Sequence, residues 1–206
     1  MTMHSHYKPL VRWTVGPVSW EGIHCLWMAV TTWRKIYGEI FDYAICHNDL
    51  TRHRLEYIKR LDVKLVDLRI YKELSPITPV MHQWQLLPSR LNPNGAEIYV
   101  DNDLILYKPH PHINALLSDN IPFCDTRIDS CIYGLPPGVD LAETLMASES
   151  ISCALKRLPK LNIIPVFDIH TCDEFYAAPY GVHFSGVNRD HTGPWEFYRR
   201  SARPML

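Results

Sequence analysis

Ile98-Tyr99-Val100-Asp101-Asn102-Asp103-Leu104-Ile105-Leu106 is the stretch on which the fold of this chain turns. Two carboxylates, one residue apart, interrupt an otherwise apolar run. Its first part, with Glu97 before it, is short and apolar and predicts a buried strand over 97–100. Charged side chains are rarely buried unless they are paired or bind metal. The strand therefore ends at Asp101 and delivers both aspartates to a sheet edge. Hard carboxylate oxygens placed there suit Mg²⁺ or Mn²⁺ holding a diphosphate. The plainer alternative is an acidic turn between two strands.

Upstream of this stretch, strand and helix patterns alternate. Val11-Arg12-Trp13-Thr14-Val15 reads as a first strand, closed by Gly16-Pro17. From Trp20 to Ile36, Ile23, Leu26, Trp27, Val30 and Trp33 recur at helical spacing, which predicts a core-facing helix. Tyr43–Cys46 reads as a second strand, ending at His47-Asn48-Asp49. Thr51–Leu61 reads as a short charged helix, and Val63–Leu68 as a third strand. Strands separated by helices imply an α/β fold with a mostly parallel central sheet and helices on both faces. Ligands of such sheets bind beyond the carboxyl ends of the strands. Gly16-Pro17, Asn48-Asp49 and Asp101-Asn102-Asp103 all follow strand ends, so they are expected to converge on one cleft.

Downstream the alternation loosens. Ile113–Leu117 suggests a helical turn, and Ser130–Leu135 a strand stopped by Pro136-Pro137-Gly138. Asp140–Ser148 reads as a helix. Leu161–Val166 carries a proline and suits an edge strand. No repeat, low-complexity tract or linker interrupts the 206 residues, which predicts one domain over 1–206.

Composition narrows the function. Twenty-one basic residues face 22 acidic ones, for a net charge of −1. That balance argues against nucleic acid or an anionic membrane as the main target. No apolar run approaches the roughly 18–20 residues of a membrane span. The opening residues hold no signal-peptide core, so the expected location is the cytoplasm. Six cysteines form no C-x-x-C pair, which speaks against a zinc ribbon and for buried reduced thiols. His110 and His112 could pinch a metal, but two histidines on a proline-rich loop read more readily as surface residues. Neither G-x-G-x-x-G nor G-x-x-x-x-G-K is present, so neither a Rossmann dinucleotide site nor a P-loop is supported.

Near the end stand Gly181-Val182-His183-Phe184-Ser185-Gly186-Val187-Asn188-Arg189 and Gly193-Pro194-Trp195. With Asp101-Asn102-Asp103 they resemble the GT-A class of nucleotide-sugar glycosyltransferases. His183-Phe184-Ser185-Gly186 and Pro194-Trp195 are similar to the histidine-x-x-glycine and lysine-proline-tryptophan tail of its glycogenin and bacterial galactosyltransferase branch. Here Gly193 stands where that lysine would be, and the spacing from Gly186 to Pro194 is longer.

The resemblance implies a nucleotide-sugar-binding half over about 11–106 and an acceptor half over 107–200. It implies Mn²⁺ or Mg²⁺ held by Asp101, Asp103 and His183, against the alternative of a strand-end histidine bonded to backbone. Asp101, Asn102, Gly186 and Arg189 would face the donor diphosphate, with Arg189 replacing the missing lysine. Gly16, Pro17, Asn48 and Asp49 would contact the nucleoside, with a UDP-sugar the expected donor. Arg90 reads as a phosphate or sugar contact, or as a solvated arginine. Asp173 and Glu174 are candidate bases for an acceptor hydroxyl, on a glycan, lipid or protein, or else a surface acidic pair. Two other functions fit less of the sequence. A sugar nucleotidyltransferase needs a glycine-rich loop with a lysine after the first strand, which Gly16-Pro17-Val18-Ser19-Trp20 lacks. A carbohydrate-binding domain would draw on the six tryptophans and eleven tyrosines but would need no divalent metal.

Overall fold

The first strand, β1 (Leu10–Val15), is buried along all 6 of its residues, so both of its faces are covered. The computed structural model describes residues 7–72, 88–125, 132–141, 151–158, 160–164 and 180–183. After β1 come α1 (Trp20–Tyr37), a 3-10 turn (Gly38–Ile40), β2 (Asp42–His47), α2 (Arg52–Lys59), β3 (Lys64–Asp67) and α3 (Arg69–Lys72). Then follow β4 (Glu97–Val100), β5 (Leu104–Leu106), α4 (Pro111–Asp119), β6 (Phe123–Asp125), β7 (Ile132–Leu135), α5 (Ile151–Leu155), β8 (Asn162–Ile164) and β9 (Gly181–His183).

Local chemistry sets the boundaries of α1. The Ser19 hydroxyl accepts from the Gly22 N–H at the start. At the end Gly38 takes φ of 52° and its N–H returns to the Arg34 carbonyl. Between them Ile23, Leu26, Ala29, Val30 and Trp33 form one buried stripe. Trp33 meets Trp13 of β1 edge to face at 6.1 Å.

Seven strands join in one sheet of order β3-β2-β1-β4-β7-β6-β8. β1 to β4 run parallel, and β6 pairs parallel with β8. Among the described strands of this sheet only β7 runs against its neighbours, β4 and β6. The sheet is thus mostly parallel, as the alternation predicts. β7 is the strand expected near 130–135 and β8 the expected edge strand, although their directions carry no sequence signature. The helix expected over Asp140–Ser148 lies outside the described residues beyond Leu141.

Both faces of the sheet are covered. On one, Val11, Trp13, Val15, Ile98 and Val100 pack with residues of α1, α2 and α4. On the other, Tyr99, Tyr133 and Leu135 pack with Leu155 of α5, and Cys46 and Val66 with Tyr71 of α3. Gly134 is needed in β7, because an added Cβ would lie 2.4 Å from the Phe123 ring.

One buried strand residue defies the apolar pattern. Arg12, in the middle of β1, is wholly buried and pairs with Glu97 of β4 at 3.0 Å. The other Glu97 oxygen accepts from the backbone N–H groups of Leu91 and Asn92, at 2.9 and 2.7 Å. Arg90 approaches that oxygen at 3.5 Å. Its remaining N–H groups donate to the carbonyls of Pro136, Val139, Asn92 and Gly95.

Two expectations about single residue types change. Cys25, Cys46 and Cys124 are buried, but Cys153 is exposed on the outer side of α5. Cys131 and Cys172 lie outside the described residues. His110 is no surface residue: it caps α4, its Nδ1 accepting from the His112 N–H, and its ring packs on Tyr180. Burial, with a smaller contribution from His112, pushes its pKa down from 6.5 to about 4.

Two outcomes follow from these buried charges. Glu97→Leu leaves two guanidinium groups buried without their carboxylate, and should cost about 3–5 kcal/mol in a urea unfolding experiment. A loss below about 1 kcal/mol would mean that the network is dispensable. For His110 the unfolded chain takes up a proton between pH 6.5 and about 4 that the folded chain refuses. The stability held by the neutral ring is therefore full above 6.5 and falls as pH drops to about 4. His110→Asn keeps a capping acceptor and should flatten that part of the stability profile; an unaltered slope would contradict it.

Candidate metal centre

The parallel strands end on one edge. Val15 pairs with His47, His47 with Asp67, and Trp13 with Val100, so the carboxyl ends of β1 to β4 lie side by side. Just past β4 the chain turns sharply, the Leu104 N–H donating to the Asp101 carbonyl at 3.2 Å. The turn feeds β5, which pairs antiparallel with β9 and sets Leu104 opposite His183. Gly181 makes this pairing possible: a Cβ there would lie 2.7 Å from the Ile105 carbonyl oxygen.

This small sheet brings His183 to both aspartates from 80 residues away. Its Nε2 lies 3.1 Å from Asp103 Oδ1 and 3.7 Å from Asp101 Oδ2. Ligand-capable atoms of all three residues fall within 4.8 Å of one another. Among the described residues no other group of three His, Cys, Asp or Glu is so arranged. Asp103 and His183 are buried, whereas the Asp101 side chain is 28% exposed. The cluster therefore has a sealed inner wall and an open rim. Two carboxylates and one imidazole fit a divalent ion, and the mixed oxygen and nitrogen set suits Mn²⁺ better than Mg²⁺.

Asp101 has a further partner. The Tyr99 hydroxyl, on the same face of β4, donates to Asp101 Oδ1 at 2.9 Å. Burial first, and then the Asp101 charge, hold the Tyr99 hydroxyl protonated well beyond its ordinary range. Sequence reading missed Tyr99, although the period-2 spacing from Asp101 was there to be used.

The other sequence candidates divide. Gly16 is buried just past β1 and Pro17 is exposed beside it. Asn48 lies past β2, its N–H donating to the Val15 carbonyl at 3.0 Å. The Asn48 Oδ1 is buried and has no hydrogen-bond partner among the described residues, which makes it a ready acceptor at this edge. Asp49 is exposed, with φ of 53°. Asn102 is half-buried in the turn. These residues share the edge with the metal cluster. Arg90 does not: it sits by Glu97, at the opposite end of β4, with its donors directed to backbone carbonyls and a carboxylate. The expected phosphate or sugar contact of Arg90 gives way to that structural task. Asp173, Glu174, Gly186 and Arg189 lie outside the described residues. His47, not among the candidates, also reaches this edge, and burial lowers its pKa.

No protein-family model matches the chain, and no curated protein does. Solved structures do match in fold. The WbbM bifunctional glycosyltransferase superposes with a TM-score of 0.62 at 10% identity, over 91% of this chain and 47% of its own. The chain thus spans about half of that protein. The galactosyltransferase LgtC, solved with donor and acceptor sugar analogues, gives 0.51 at 10% identity, over 89% and 83%. Glucosyl-3-phosphoglycerate synthase from Mycobacterium tuberculosis, solved with Mn²⁺, UDP and glucosyl-3-phosphoglycerate, gives 0.50 at 12% identity, over 77% and 69%. The GT-A-like fold implied by the sequence motifs is the fold found.

The cluster makes a prediction that needs no substrate. Mn²⁺ at a hundredfold excess over its Kd should raise the unfolding free energy by about 2.7 kcal/mol. Asp103→Asn should abolish that gain in a thermal melt while keeping the apo protein as stable as the parent, because it also relieves carboxylate repulsion. An equal Mn²⁺ shift in the variant would remove Asp103 from the site.

Proposed function

We propose that the chain is a metal-dependent glycosyltransferase that moves a sugar from a nucleoside diphosphate, a UDP-sugar first, to a hydroxyl acceptor. The observation that carries this reading is the Asp101, Asp103 and His183 cluster at the carboxyl edge of a GT-A-like sheet. The Mn²⁺ and UDP bound by the mycobacterial synthase support the choice of ion and donor.

In this reading Asp101, Asp103 and His183 hold Mn²⁺ or Mg²⁺. When bound, the ion neutralises charge on the departing diphosphate and orients it. The buried Asn48 Oδ1 takes a donor N–H from the nucleoside, beside Gly16, Pro17 and Asp49. Asn102, Gly186 and Arg189 line the diphosphate path. Asp173 or Glu174 removes the proton from the acceptor hydroxyl, as an inverting reaction requires. Residues 11–106 form the donor half of a single domain over 1–206, and 107–200 the acceptor half. The acceptor is a hydroxyl of a glycan, lipid or protein, and the setting is the cytoplasm. Among the described residues no helix is long and apolar enough to cross a membrane.

The test is release of nucleoside diphosphate from a panel of UDP-, GDP- and dTDP-sugars, with and without Mn²⁺. Turnover should need the metal, favour one donor, and fall at least about a hundredfold in Asp103→Asn. Full activity in excess EDTA would overturn the reading, and a metal-independent sugar binder would release nothing. Asp173→Ala or Glu174→Ala should slow transfer by about a hundredfold with donor affinity unchanged. Wild-type rates in both, or a product of retained anomeric configuration, would remove the base.

A further inference from the structure

The rim carboxylate is the weak point of the cluster. Asp103 is buried against His183, so its position is settled before any ion arrives. Asp101 is partly exposed and lies farther from the imidazole, at 3.7 Å. An aspartate so placed ordinarily turns among rotamers, and freezing it on a metal costs side-chain entropy. Here one of its oxygens is already held by the Tyr99 hydroxyl.

Tyr99 is itself closely held. It is 3% exposed and lies in the register between Arg12 of β1 and Tyr133 of β7. Its ring stacks on that of Tyr133 at 5.0 Å and 16°. The Arg12 guanidinium, pinned by Glu97, lies 5.7 Å from the ring centre. A rigid ring thus carries a hydroxyl to Asp101 Oδ1, and Asp101 Oδ2 is the oxygen on the His183 side.

We propose that Tyr99 is a positioning residue of the metal centre: its hydroxyl fixes Asp101 so that Oδ2, rather than both oxygens, is presented toward the ion. The proposal rests on the metal-centre reading and goes beyond it by assigning the group that preorganises the rim ligand. Partners that orient metal ligands in this way typically contribute ten- to a hundredfold in affinity, on the order of 10–100. Tyr99→Phe keeps the ring, its stack and its contact with Arg12, and removes only the hydroxyl. Tyr133→Phe is the matched control, because the Tyr133 hydroxyl faces Arg12 at 3.5 Å and not Asp101.

The experiment is Mn²⁺ binding followed by electron paramagnetic resonance of the free ion, with UDP present, on the parent and both variants. The expected result is about tenfold weaker binding in Tyr99→Phe and parental binding in Tyr133→Phe, with melting temperatures of the metal-free proteins alike. Parental affinity in Tyr99→Phe overturns the positioning role and leaves the metal centre standing. Equal weakening in both variants also overturns it, since the stack rather than the hydroxyl would then matter. A parent protein that binds no Mn²⁺ overturns the metal-centre reading and the proposal with it.

Discussion

A carboxylate cannot be taken out of water alone, and Glu97 is out of water at the first residue of the central strand. Its satisfaction organises what surrounds it. Arg12 crosses from β1 to meet one oxygen, while two backbone N–H groups and Arg90 meet the other. Arg90 in turn gathers carbonyls from the segment before β4 and from the turn after β7. The amino end of β4 is thereby welded to segments close to it in space and distant in sequence. Substituting apolar residues for such a group is often tolerated, whereas removing one member is not.

The two ends of β4 thus have opposite chemistry. At the amino end Glu97 is shared by two guanidinium groups whose other N–H groups donate to backbone carbonyls. At the carboxyl end two acidic side chains converge on one imidazole, an arrangement that gains from an added cation. Glu97 and Tyr99 lie on one face of β4, and the Tyr99 hydroxyl reaches Asp101 just past the strand's end, so the structural network and the candidate site are neighbours along one strand.

The parallel β/α frame was legible because period-2 and period-3.6 patterns report which faces are buried. Glu97–Val100 is found with the limits read from the sequence, and α1 within a residue. Asp101 and Asp103 stood out because acidic residues interrupt an apolar run. Other features were hidden for physical reasons. Arg12 and Arg90 are buried by pairing, and pairing is a long-range property that composition treats as exposure. His110 is buried because it caps a helix under Tyr180, and nothing local to its proline-rich stretch announces that. The antiparallel course of β7 and the β5–β9 pairing depend on partners far away in the chain.

The pairing of β5 with β9 also bears on how the protein is made. Synthesis runs from the amino terminus, and the two aspartates leave the ribosome about 80 residues ahead of His183. A growing chain can complete β1 to β4, and with them Glu97 and Arg12, while His183 is still unmade. The nascent protein therefore carries a pair of carboxylates with little hold on a metal ion until its last described strand docks. In the proposed metal centre, then, the two aspartates are made well before the histidine, and the three side chains come together only once β9 pairs with β5.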